Sequence, residues 1–181
     1  MMPASESNLR FKYLSGKGPE SDTLQILLIS TSQQCLDELQ KSLYITRETQ
    51  SERRPYNLNV HTCKHIKNVM ELKRDEFTVD YIVYILDVNN KNCLMEVEEN
   101  VNLLDISFGR EKICMVNPNP SHGKSNVNMF DVWQFAHEKQ FNIVNGRIND
   151  QERLTNLSNR ILNLAEACCG IINGIPLKGY V

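Results

Sequence analysis

Neither sign of charge dominates this chain: 20 Lys and Arg face 22 Asp and Glu, a formal net charge of −2 over 181 residues. So weak a field gathers no polyanion, and cations cluster nowhere beyond Arg53-Arg54, so nucleic acid is not expected as a direct partner. The six cysteines, at 35, 63, 93, 114, 168 and 169, include no C-x-x-C pair. Several sit in apolar surroundings such as Ile113-Cys114-Met115, where a thiol is a small hydrophobe; a reducing compartment is expected, not a disulfide scaffold. No apolar run approaches the roughly 20 residues that span a bilayer, and the polar segment 1–20 has no signal-peptide core. The expectation is a soluble, intracellular protein without a membrane partner. Its 41% hydrophobic and 23% charged content is that of a globular chain.

What is present is alternation. Leu24-Gln25-Ile26-Leu27-Leu28-Ile29 is a short apolar run of the kind buried on both faces of a parallel sheet. Leu36, Leu39 and Leu43, spaced three and four apart, predict a helix, and the polar stretch 44–55 reads as a long loop. Residues 58–63 predict a half-polar strand near an edge, and Ile66, Val69 and Met70 a short helix. Residues 79–88, dense in β-branched and aromatic side chains, predict the central strand. Leu94, Val97, Val101 and Leu104 form another helical stripe, and residues 113–116 another strand. Val127, Phe130, Trp133 and Ala136 step by three into a helix, and residues 141–144 give the fifth strand. The last helix opens on the capping pattern Asn149-x-x-Glu152, presents Leu154, Leu157, Ile161, Leu164 and Cys168 to the core, and stops at Gly170.

Strands alternating with helices imply an α/β fold: a single three-layer, doubly wound domain with a mostly parallel sheet. Residues 1–22 read as a flexible N-terminal tail and 23–181 as the domain. The layout is that of a small GTPase, a Ras-like P-loop NTPase fold without a functional P-loop. A phosphate loop needs glycines whose amides curl around phosphates, a lysine that neutralises them and a hydroxyl on magnesium. In register with that motif, the glycines are Ser30 and Cys35, the lysine is Leu36 and the hydroxyl is Asp37. The base-reading N-K-x-D loop becomes Asn117-Pro118-Asn119-Pro120, and no D-x-x-G follows the second strand. Neither a cofactor, a metal nor a small-molecule substrate is expected, nor is catalysis.

One segment argues the other way. Gly123-Lys124-Ser125 follows a strand and precedes a helix, so the alternative is a nucleotide-binding switch or NTPase using that loop. Pro118 stands in its first glycine slot and Pro120 lies within it, and each removes an amide donor. A proline-rich surface loop is the preferred reading. His61, Cys63 and His65 alternate on one strand face and could hold zinc only with a fourth ligand from elsewhere. Ordinary edge-strand side chains are preferred there, as are two buried thiols over a redox pair at Cys168-Cys169. Asp80, Asp87, Asp105 and Asp131 meet no His, Ser or Cys in a catalytic arrangement, and His137 reads as a surface residue. The apolar C-terminal segment with Ile171, Ile172, Ile175 and Leu177 is either folded back or a hydrophobic binding patch; Phe108 with Arg110 is a second candidate.

The strand 79–87, the helix from Glu98-Glu99 to Ser107-Phe108, and Lys112-Ile113-Cys114 together resemble the centromere protein M (CENP-M) family. Thr23 to Ile29, Cys169-Gly170 and Gly174-Ile175 also fit, so the likeness runs from about Thr23 to Leu177. The resemblance implies a small-GTPase-like fold that has lost nucleotide binding, a pseudo-GTPase. It implies an adaptor at the inner kinetochore of the nucleus that binds CENP-I, with CENP-H and CENP-K in the same assembly, and serves chromosome segregation.

Overall fold

The computed structural model describes residues 23–68, 79–104, 108–118 and 125–171. Five strands, β1 (Thr23–Ile29), β2 (Asn57–Cys63), β3 (Tyr81–Ile85), β4 (Ile113–Asn117) and β5 (Asn142–Asn145), form one sheet in the order β2-β1-β3-β4-β5. Every pairing is parallel. Among the described residues, four α-helices seen from end to end accompany them: α1 (Gln33–Thr49), α2 (Cys93–Val101), α3 (Met129–Lys139) and α4 (Gln151–Cys169). Of the short helix expected around Ile66, residues 66–68 are helical, and the remainder lies outside the described residues.

The period-two alternation of the strands sorts the core into two layers. Leu27, Ile29, Ile82, Tyr84, Ile113 and Met115 face one side, where α2 supplies Val97 and Val101 and α3 supplies Val132 and Ala136. Leu24, Ile26, Leu28, Val83, Ile85, Cys114 and Val116 face the other, where α1 supplies Leu36, Leu39 and Leu43 and α4 supplies Leu154, Leu157 and Ile161. Two helices on each face of a parallel sheet make the three-layer α/β arrangement of a small-GTPase-like fold, as the alternation of elements predicts. The half-polar strand is indeed an edge, and residues 81–85 lie at the sheet centre.

Three local readings are corrected. First, α1 continues to Thr49 rather than ending in a loop at Tyr44. Thr46 extends the buried stripe of Leu39 and Leu43, and the Ser158 hydroxyl donates to Ser42 Oγ at 2.8 Å, fixing α1 to α4. Second, the helix stepping through Phe130 and Trp133 does exist and buries Ala136 as expected, but Val132 takes the other core position, leaving Phe130 69% and Trp133 50% exposed. Third, α4 is capped by Asp150, whose carboxylate accepts from the Arg153 amide at 3.2 Å; Asn149 lies one residue outside the cap. Gly170 ends α4 with φ +70, a left-handed position that favours glycine, as the sequence suggested.

The connection from α1 to β2 is fastened by a buried ion pair. Arg54 and Glu166, both fully buried, meet at 2.5 Å from Nε to Oε1. The remaining guanidinium donors reach Gln50, Asn159 (3.2 Å) and Asn163 (2.8 Å), and the Tyr56 hydroxyl donates to Glu166 Oε1 at 2.5 Å. Burial, then the bond to Glu166, holds the Tyr56 hydroxyl well above its ordinary pKa, so it stays protonated and donates. Removing one partner of such a pair strands the other charge in the interior, at a cost of about 3–5 kcal/mol. Arg54→Ala is therefore expected to lower the unfolding free energy by about that amount in urea titrations followed by circular dichroism; a loss below about 1 kcal/mol would show the pair to be dispensable.

Candidate functional site

In doubly wound folds ligands sit beyond the carboxyl ends of the strands. Here only Ser30, Thr31 and Ser32 separate β1 from α1. The Ser32 amide donates to Ser30 Oγ at 3.2 Å, and Ser32 in turn caps α1, its Oγ accepting from the Cys35 amide at 3.4 Å. The Leu36 amide closes the first helical bond onto the Ser32 carbonyl at 3.2 Å. Cys35, Leu36 and Asp37 therefore belong to the first turns of α1 and not to an open loop. Leu36 is buried in the core at 1% exposure. Asp37 is exposed and accepts from the Gln33 side chain at 2.9 Å. Two of the amides that a phosphate would need are already bound to serine hydroxyls.

A groove of about 300 Å³ lies beyond the strand ends, lined by Ser30, Ser32, Asp87, Asn89, Pro118 and Asn149 among others. Its described lining holds a carboxylate, Asp87, and neither Lys nor Arg. A triphosphate placed there would face that like charge with no counter-charge among these residues. Asn117, 1% exposed, spends its side-chain amide on Asn145 Oδ1 (3.2 Å) and Met129 Sδ (3.4 Å), tying β4 to β5 and α3. Ser125, the hydroxyl of the G-K-S segment, lies 2.7 Å from the Val127 carbonyl and accepts from the Val127 amide at 3.2 Å, so it shapes the entry to α3. Pro120, Gly123 and Lys124 lie outside the described residues.

The description Centromere protein M (CENP-M) belongs to a family model that matches residues 12–177 of this chain. The chain belongs to the centromere protein M family. Human Centromere protein M is 23% identical over 160 residues, covering 88% of this chain and 84% of the human protein. The bovine Centromere protein M is 22% identical over 160 residues, with the same coverage of 88% and 84%. The family match begins within the segment that the sequence reads as a tail.

The expected partner residues are distributed as follows. Phe108 is buried at 5% exposure in the layer under α2 and α3, so it braces its loop from beneath. Arg110 is exposed and lies over the Phe141 ring, 6.0 Å from its centroid. Ile171 is half-buried against the α1–α4 layer, while Ile172, Ile175 and Leu177 lie outside the described residues. His65 falls beyond the end of β2, its Nδ1 3.3 Å from Asn100 Nδ2, so it does not line up with His61 and Cys63. The thiols of Cys168 and Cys169 turn to different carbonyls, of Glu111 (3.1 Å) and Asp80 (3.5 Å). Asp80 pairs with the backbone of Gln25, Asp87 accepts from the Asn89 amide, Asp131 and His137 are exposed on α3, and Asp105 lies outside the described residues.

Two features escaped the sequence reading. The Ser32 cap was legible as a serine three residues ahead of the Cys35 amide it binds. The exposed aromatics of α3 were legible in the competing stripe Met129-Val132-Ala136, which reproduces helical spacing equally well.

The geometry makes a restored motif inert. Leu36→Lys supplies the lysine of a phosphate loop, but inside the core; it is expected to cost at least what Leu→Ala costs, about 2–5 kcal/mol in urea unfolding, and to produce no GTP binding in calorimetry. Tight GTP binding by that variant would contradict the placement of Leu36. Burial also pushes the thiols of Cys63, Cys114 and Cys169 up to about 12 and Cys93 to about 11. At pH 8 their thiolate fractions fall roughly a hundred-fold or more below that of an ordinary cysteine. Iodoacetamide labelling of the native protein, read by mass spectrometry, is expected to spare these four and to reach them in urea; rapid native labelling of Cys114 would count against the packing.

Proposed function

We propose that this chain is a non-catalytic adaptor of the inner kinetochore, a pseudo-GTPase that binds CENP-I within an assembly that also holds CENP-H and CENP-K. In this reading it sits at the centromere in the nucleus and supports kinetochore assembly and chromosome segregation. The observation that carries it is a closed β1–α1 turn beside a groove whose described lining holds neither Lys nor Arg, in a chain of the centromere protein M family. The centromeric setting is taken from the human and bovine relatives by their names. No cofactor, metal, nucleic acid, membrane or small-molecule substrate takes part.

The proposed contact is the C-terminal apolar segment, Ile171, Ile172, Ile175 and Leu177, together with Phe108 and Arg110. A stable contact needs roughly 1,000 Å² of buried surface, more than such a segment offers alone, so further surface of the domain contributes. The alternative, a nucleotide switch at Gly123-Lys124-Ser125, is disfavoured because the Ser125 hydroxyl is already bound to backbone.

Co-expression with tagged CENP-I from the same organism tests the reading. The wild-type chain is expected to co-purify stoichiometrically, and Ile175→Glu or Leu177→Glu to reduce recovery about ten-fold, the equivalent of 1.4 kcal/mol, with an unchanged circular dichroism spectrum. Absence of wild-type co-purification would reject the partner; full recovery with both variants and with Arg110→Glu would reject the surface.

A further inference from the structure

The two faces of the domain differ in charge. α2 carries Glu96, Glu98 and Glu99 with no cation, and α3 carries Asp131 and Glu138 against the single cation Lys139, itself paired with Glu98. On the opposite face α1 and α4 mix Asp37, Glu38, Glu48, Glu152 and buried Glu166 with Lys41, Arg47, Arg153 and Arg160. Counted over these helices alone, the excess acid lies on α2 and α3, although Lys67 shares a groove with Glu99 at the edge of α2.

The same side holds exposed apolar groups. Phe130, Trp133 and Met95 are 69%, 50% and 54% exposed. Phe130 and Trp133 stand one helical turn apart on the same flank of α3. Helical rotation of 100° per residue sets Asp131 and Glu138 on the other flank, toward Glu98 and Lys139. The exposed large hydrophobics elsewhere among the described residues are Ile45 on α1, 42% exposed, and Tyr44, whose hydroxyl oxygen accepts from the Val60 amide at 3.0 Å.

We infer that the outer face of α3 is a docking surface for a cationic amphipathic helix of a protein partner, with Lys or Arg flanking Leu, Ile or Met. Two neighbouring aromatics, Phe130 and Trp133, supply the anchor on one flank, and the carboxylates Asp131 and Glu138 on the adjoining flank select and steer the opposite charge. Acid on acid disfavours a second copy of this chain, and the sign of the face repels nucleic acid. The inference rests on the adaptor reading only in that the occupant is a protein. Failure of the CENP-I co-purification leaves it standing, and its own failure leaves that partner untouched.

Trp133 is the only tryptophan of the chain, so its emission reports on this face alone. The full-length protein is titrated with a Trp-free Leu/Lys peptide of about 18 residues, long enough to be helical, and with its Leu/Glu counterpart. A saturable blue shift is expected with Leu/Lys and none with Leu/Glu. Binding is expected to weaken about ten-fold in Phe130→Ser and in Asp131→Lys/Glu138→Lys, and to fall with added salt. Circular dichroism checks the fold; should the double charge variant unfold, Phe130→Ser and the salt dependence decide. No shift with Leu/Lys, equal shifts with both peptides, or a shift unaltered in the variants would overturn the inference. A shift with protein concentration alone would assign the face to self-association and overturn it too.

Discussion

The hydroxyls of Ser30 and Ser32 fix how much backbone is left between the first strand and the first helix. By binding the amides of Ser32 and Cys35 they let α1 begin at Gln33, as soon as β1 has left the sheet. Everything downstream in α1 takes its rotation from that start. Leu36, Leu39 and Leu43 point into the sheet, and the helix runs on to Thr49, where it meets α4. Glycines at these positions would leave the amides free and the loop open, as phosphate binding requires. Serines that satisfy their own backbone give a shorter, better-packed connection instead. The fold thereby keeps its core and ties up two amides at the mouth of the groove beyond the strand ends.

Polar side chains do a second job, locking layers that hydrophobic burial alone would leave free to slide. Arg54 reaches from the α1–β2 connection into the side of α4, where Glu166, Asn159 and Asn163 meet it. On the opposite face Asn100 of α2 accepts from the Ile66 amide at 2.8 Å and donates to the Glu96 carbonyl at 2.7 Å. Each cluster joins a segment following an edge or helix to a helix distant in sequence. Buried groups of this kind stabilise only when nearly all their partners are present.

The sheet was legible because its signal is local: runs such as Leu24–Ile29 and Tyr81–Ile85 are apolar on both faces, which few other environments tolerate. The edge position of β2 followed from its polar alternation. The far half of α1 was hidden because its polar residues look like a loop until Thr46 and Ser42 are seen against α4. Arg54 showed in the sequence only as half of the short Arg53-Arg54 pair, since nothing near it announces Glu166, which lies far along the chain. The face of α3 was misassigned because two stripes share the same helix, and only packing against β4 and β5 chooses between them. At the strand ends, the sequence showed which chemistry was missing but not that the missing loop had become helix.

Fold and site together describe a protein of the centromere protein M family whose β1–α1 turn is closed by its own serine hydroxyls. The contacts proposed for function are the apolar C-terminal segment and the outer face of α3, aromatic on one flank and acidic on the other. The claim beneath both is that no guanine or adenine nucleotide binds at the end of β1. Isothermal titration of the full chain with GTP, GDP and ATP, each with magnesium, tests it most directly. No saturable heat at millimolar nucleotide is the predicted result; a one-site isotherm with micromolar affinity for any of the three would contradict the account.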